Sequence, residues 1–190
     1  MHDKYFIARF EIEGVKRSLA FDKAKFSEEQ AGAYLEADGV KNFIFFFEPE
    51  KPTEIDENTM LFKGEVGFDI TMDALLPYVR EGKNILLDSF GGDLWEGLKI
   101  KDTIGMLNYQ GKIGVLGSAM SAATIILLSV PIAQRLFTPN SRFLIHNPWT
   151  WAAGDDAEHR RVAKELKFEK ENIADIYAAN SNMTKDEALA

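Results

Sequence analysis

The sequence predicts an α/β fold: a largely parallel sheet covered by helices, preceded by a small ββαβ appendage. Three observations lead there. From Met60 onward, short apolar runs alternate with amphipathic helical patterns, as parallel strands joined by helical crossovers require. Before that point two alternating strand patterns, one helical pattern and an aromatic run stand apart, closed by the polar, proline-containing stretch EPEKPTEIDEN. The chain has 190 residues, 46% of them apolar and 27% charged, enough for one sizeable core plus an appendage. We therefore divide it into an appendage, 1–52, and a main domain, 53–190.

YFIARFEI sets Phe6, Ala8, Phe10 and Ile12 against charged neighbours, a strand with one buried face. VKRSLAF follows Gly14 and pairs back as a hairpin. Ser27 with Gln30 opens a helix as a capping box, and that helix ends near Gly39. NFIFFFEP is the next strand; its phenylalanines, Phe43, Phe45, Phe46 and Phe47, call for burial. In the main domain MLFKGEV is a strand, MDALLPYVRE a helix, NILLDS a continuous apolar strand and GDLWEGLKIKDTIGML a helix. KIGVLG is a strand, SAATIILLSV a helix, QRLFT and SRFLIHN strands. The run from Asp155 to Ser181 is a long charged helix.

Ile113 to Gln134 carries no charge and is long enough to span a bilayer. Gly114, Gly117, three serines, Thr124 and Pro131 interrupt it, so a strand entering a buried helix is the better reading. The first residues lack an apolar core and cleavage site, and are no signal peptide. With 22 Lys and Arg against 30 Asp and Glu, a net charge of −8 and no basic run, nucleic acid is a poor partner. The absence of cysteine removes disulfides and thiolate metal sites and fits a reducing compartment.

Three segments carry candidate chemistry. In LLDSFGGDLWEG a strand ends in Gly91 and Gly92, where backbone N–H groups can approach an anion or carbonyl, or where the chain merely turns tightly. In GSAMSAATIILLSV, Ser118 and Ser121 lie at the entry to a helix, at the carboxyl end of a parallel strand where α/β folds place ligands. The serines read equally as nucleophile or cap. Ala119, Ala122 and Ala123 leave room for a substrate or serve close helix packing. In SRFLIHNPW, His146 stands at a strand exit, whereas His2 is terminal and His159 lies in the charged helix. Glycine pair, serine and histidine at one sheet edge would supply an oxyanion site, a nucleophile and its base.

The order SFGG, GSAMSAA, FLIHNPW and a long charged helix resembles the Clp protease proteolytic subunit family (ClpP), especially its phage-type, head-maturation branch. The resemblance covers about residues 60 to 190. It implies a ClpP/crotonase-like spiral of ββα units, assembled into rings around a chamber, and a cytoplasmic serine peptidase that needs neither metal nor cofactor. It selects Ser121 as nucleophile from the G-x-A-x-S pattern Gly117 to Ser121, with His146 as general base. The N–H groups of Gly92 and Ala122 would form the oxyanion hole, Gly91 shaping the loop. The family's third triad member, an aspartate, would fall beyond Ala190. A capping box at Thr184 and Glu187 opens a helix that the sequence leaves after about one and a half turns, so a C-terminally truncated domain is expected. Asp175 and Asp186 are conceivable substitutes off the motif position. Implied partners are polypeptide substrates, copies of the chain itself, and an AAA+ unfoldase or a capsid or scaffold protein. Alternatives are a non-catalytic ring-forming or scaffold-binding protein and a crotonase-type acyl-CoA enzyme, the latter calling for an acid or base at the glycine loop.

Overall fold

The computed structural model describes residues 5–12, 15–22, 25, 27–37, 39–40, 43–46 and 51–189. Two compact units divide the chain, Met1–Pro49 and Glu50–Ala190. In the first, β1 (Tyr5–Ile12) pairs antiparallel with β2 (Val15–Asp22) and with β3 (Phe43–Phe46). The helix α1 (Glu28–Ala37) begins as the capping box requires: Ser27 N–H donates to Gln30 Oε1 at 2.9 Å and Gln30 N–H to Ser27 Oγ at 3.2 Å. Ala8, Phe21, Ala31, Leu35 and Val40 form its core. The phenylalanine side chains of residues 43–47, expected to be buried, lie outside the described residues.

In the second unit six strands form one sheet, β4 (Thr53–Asp56), β5 (Thr59–Val66), β6 (Asn84–Gly92), β7 (Ile113–Met120) and β8 (Arg135–Phe137) in that order, with β9 (Arg142–Leu144) also on β7. The sheet is mixed: β4 is antiparallel to β5 and the other pairings are parallel. The polar, proline-containing stretch that closes the appendage thus contains a strand. All four residues of β4 are exposed, so it has no burial periodicity for a sequence reading to detect.

The helices α2 (Met72–Arg80), α3 (Leu94–Met106) and α4 (Ala122–Leu127) share a single core. Leu75 and Val79, Ile100 and Ile104, and Ile126 and Leu127 meet Ile85 and Leu87 of β6 and Ile113 and Val115 of β7. Leu86, Asp88 and Leu116, on the alternate face, are only half-buried. Helices cover the sheet as expected, and NILLDS, read as a continuous apolar strand, alternates in burial. The uncharged stretch becomes β7 followed by the fully buried α4. No helix among the described residues is long and apolar enough to cross a membrane.

The long α5 (Asp156–Asn180) is capped by Asp155, which accepts Glu158 N–H at 3.0 Å, and buries Ala174 and Tyr177 near its end. The closing helix α6 (Lys185–Leu189) starts at its capping box, Thr184 N–H donating to Glu187 Oε2 at 2.7 Å and Glu187 N–H to Thr184 Oγ1 at 3.2 Å.

Candidate active site

The strand β7 changes partner halfway. Ile113 to Val115 pair with β8, and Ser118 to Met120 pair with β9. Between them the register against β6 jumps, from Leu87 opposite Val115 to Ser89 opposite Ala119. Gly117 accommodates the jump at φ +103°, and a Cβ there would lie 2.5 Å from Asp88 Oδ1. That carboxylate accepts Ser118 N–H at 3.0 Å, satisfying a group the broken ladder leaves unpaired. Ser118 is thereby a buried strand residue.

Ser121 differs in kind. It stands alone between Met120, the last residue of β7, and Ala122, the first of α4, with φ +53° and ψ −130°. A non-glycine residue there costs of order 1–3 kcal/mol and persists only where its surroundings dictate it. The surroundings are evident: its N–H donates to Leu144 O at 2.9 Å, and its carbonyl accepts Thr124 N–H at 2.9 Å and the Thr124 hydroxyl. The serine side chain makes no capping bond, so the cap reading fails for Ser121. A sharp strand-to-helix turn of this kind presents a hydroxyl clear of the backbone.

The glycine pair closes on it from β6. Strand β6 runs to Gly92, the strand end read from LLDSFGGDLWEG, and α3 starts at Leu94 behind an Asp93 cap that accepts Glu96 N–H at 2.7 Å. At Gly91 (φ +104°) a Cβ would come 2.5 Å from Ser121 Cβ and 2.8 Å from Met120 O; at Gly92 (φ +143°) it would come 2.3 Å from Val66 O. Each glycine is thus required by a different neighbour, Gly91 by Ser121 and Gly92 by β5. Gly91 N–H donates to Ser89 Oγ at 3.1 Å. Ala119, Ala122 and Ala123 are all buried, and a Cβ on Gly97 of α3 would lie 3.1 Å from Ala122 O. Gly97 and Ala122 thus lie at a close approach of α3 to α4.

His146 is reached through β9. Leu144, its last residue, lies opposite Met120 and accepts Ser121 N–H. Two residues further on, at most about 3.6 Å each, the imidazole is exposed with Nδ1 2.7 Å from Asn147 O. A carbonyl only accepts, so Nδ1 carries a proton in this bond, which in a neutral imidazole makes Nε2 the nitrogen with the lone pair. Among the described residues no hydrogen bond joins the Ser121 hydroxyl to the His146 ring. Of the two substitute acids, Asp175 Oδ1 pairs with Lys185 Nζ at 2.7 Å and Asp186 sits in the first turn of α6, while the His146 ring bonds to Asn147 O.

Two residues at the junction escape sequence reading. The Thr124 hydroxyl, which donates to the Ser121 carbonyl, also meets the Tyr177 hydroxyl of α5. Thr124 has one proton to give, so Tyr177 is the donor in that second bond. Burial pushes the Tyr177 phenol up to about 12. Thr124 was findable as a polar residue in an apolar helix; nothing local marks Tyr177. A cleft lined by Ile104, Asn108, Tyr109, Ser129 and Gln134 lies at the opposite ends of the strands and touches none of these residues.

The family model described as Clp protease matches residues 75–189. An ATP-dependent Clp protease proteolytic subunit of Bacteroides fragilis is 30% identical over 125 residues, covering 63% of this chain and 60% of that protein. The corresponding subunit of Carsonella ruddii is 32% identical over 105 residues, 54% of each chain. The matches thus span between about half and three fifths of the length of these relatives. A point mutant of ClpP1 from Listeria monocytogenes superimposes with a TM-score of 0.59 at 27% identity, covering 69% of this chain and 76% of its own. The fold is ClpP-like, the family match takes in more than half of the sequence, and the chain belongs to the Clp protease family.

Proposed function

We propose that the chain is a serine endopeptidase of the ClpP type. Ser121 Oγ attacks a peptide carbonyl, His146 Nε2 takes its proton and returns it to the leaving amine, and water then releases the acyl group. The N–H groups of Gly92 and Ala122 stabilise the oxyanion. Gly92 fits this role because the N–H of Gly91 is already given to Ser89. Ala122 fits it as the first residue of α4, where N–H groups have no intrahelical acceptor. The mechanism calls for no metal or organic cofactor. The setting we propose is a cytoplasmic ring of copies of this chain around a chamber, in phage or prophage head maturation, with polypeptide substrates delivered by an AAA+ unfoldase or bound with a capsid or scaffold protein. Residues 1–52 act as the appendage that meets such a partner.

The observation that carries this reading is the left-handed Ser121 at the β7–α4 junction, held on both sides by backbone hydrogen bonds. A crotonase-type reading is less well supported, since Asp93, the carboxylate at the glycine loop, is engaged as a helix cap. A second reading, a ring-forming or scaffold-binding protein without catalysis, draws on the unjoined Ser121 and His146 and on the backbone carbonyl that holds Nδ1. Labelling with a fluorophosphonate probe separates the two. The peptidase reading expects labelling that Ser121→Ala abolishes and Ser118→Ala retains; an unlabelled intact ring would overturn it.

A further inference from the structure

Ser89 is 1% exposed and sits two residues before the glycine that touches the candidate nucleophile. Its hydroxyl oxygen accepts Gly91 N–H at 3.1 Å, a side chain to backbone bond of the kind by which serine fixes a local turn. Its own place is fixed by the sheet, since it lies opposite Ala119 of β7. Gly91 in turn has no room on the Ser121 side, where a Cβ would come within 2.5 Å of Ser121 Cβ. One buried hydroxyl therefore ties the peptide plane of Gly91 while Ser121 bounds it from the other side.

We infer that Ser89 is a positioning residue for the oxyanion site: by holding Gly91 N–H it helps set the following peptide plane, and so aims the Gly92 N–H at the oxyanion that develops on the carbon Ser121 Oγ attacks. This rests on the peptidase reading above. The bond has two effects. It removes Gly91 N–H from competition for the oxyanion, and it keeps φ of Gly91 at the positive value through which the chain passes Ser121. Glu65 and Val66 of β5 lie opposite the glycine pair, and the Ser89 hydroxyl supplies the side-chain hydrogen bond added to that pairing at Gly91.

The test compares Ser89→Ala, which deletes the acceptor, with Ser89→Cys, which keeps a weak acceptor of similar size. The readouts are the inactivation kinetics with a fluorophosphonate, resolved into binding and covalent steps, and hydrogen exchange of the Gly91 amide by NMR. Loss of a whole oxyanion donor costs about 10²–10³ in rate, so misaiming one is expected to slow the covalent step at least about tenfold in Ser89→Ala. Probe binding should be unchanged, Gly91 exchange faster, and both effects partly reversed in Ser89→Cys. A covalent step equal to that of the unaltered protein, or Gly91 exchange that Ser89→Ala leaves alone, would overturn the inference, as would loss of stability with kinetics intact. If the unaltered protein itself is not labelled, the peptidase reading falls and takes the catalytic half of this one with it, while Gly91 exchange still decides the hydrogen bond.

Discussion

The amide of Ser121 donates to the carbonyl of Leu144 at 2.9 Å, which binds the end of the strand bearing the candidate nucleophile to the end of the strand leading to the candidate base. One sheet pairing brings together the segments that carry the candidate nucleophile, just after β7, and the candidate base, two residues beyond β9. Rigid elements hold such geometry more closely than loops do.

If His146 is the base, His146→Ala should slow covalent labelling of Ser121 by about 10²–10⁴-fold. Probe binding should be nearly constant. Stopped-flow labelling measures both, and an unaltered covalent step would remove His146 from the mechanism.

Gly91→Ala places a Cβ against Ser121 and Met120 O at φ +104°. It should destabilise the fold by roughly 1–3 kcal/mol and abolish labelling. Gly105→Ala is the contrasting change, since nothing lies within 4 Å of its Cβ position; in a helix it should stabilise by about 0.5–1 kcal/mol. Urea titration of both variants gives the two signs.

Removal of the Asp88 carboxylate leaves Ser118 N–H without its acceptor at the β7 bulge. Asp88→Ala should cost about 1–3 kcal/mol. Asp88→Asn keeps an oxygen in place and should cost visibly less. The denaturation midpoints, compared at constant slope, check the order.

Burial raises the Tyr177 phenol from 10.0 to about 12, so the folded protein favours the neutral form. Its contribution to stability is full below about pH 10, the unfolded value, and declines as pH rises from there toward 12. Tyr109 is raised by burial too and adds to the same decline. Tyr177→Phe should therefore flatten part of the alkaline loss while costing about 1 kcal/mol near neutral pH for the missing bond to Thr124. Stability curves from pH 8 to 12 read both effects.

Sequence reading succeeded where the signal was local. The capping boxes at Ser27 and Thr184 formed as written, and the uncharged stretch divided into strand and helix beside Ser121 because glycine and serine punctuate its first half and apolar residues fill its second. It failed where the determinant was distant or polar. Strand β4 is entirely exposed and has no pattern to find. The one-sided burial of β6 depends on where three helices pack, which NILLDS does not encode. Ser118 and Ser121 were equivalent in sequence because the bulge that distinguishes them is built by Asp88, thirty positions away.

The bridge between Thr124 and Tyr177 joins positions 53 residues apart, and it has a consequence in time. Contacts of such separation close late, because the entropy of the intervening loop opposes them until other structure has formed. During synthesis Ser121 leaves the ribosome well before Tyr177 does. That bridge is therefore expected to close among the last contacts of the unit, so that a half-made chain carries Ser121 and Thr124 without the α5 hydroxyl that meets Thr124 in the finished fold.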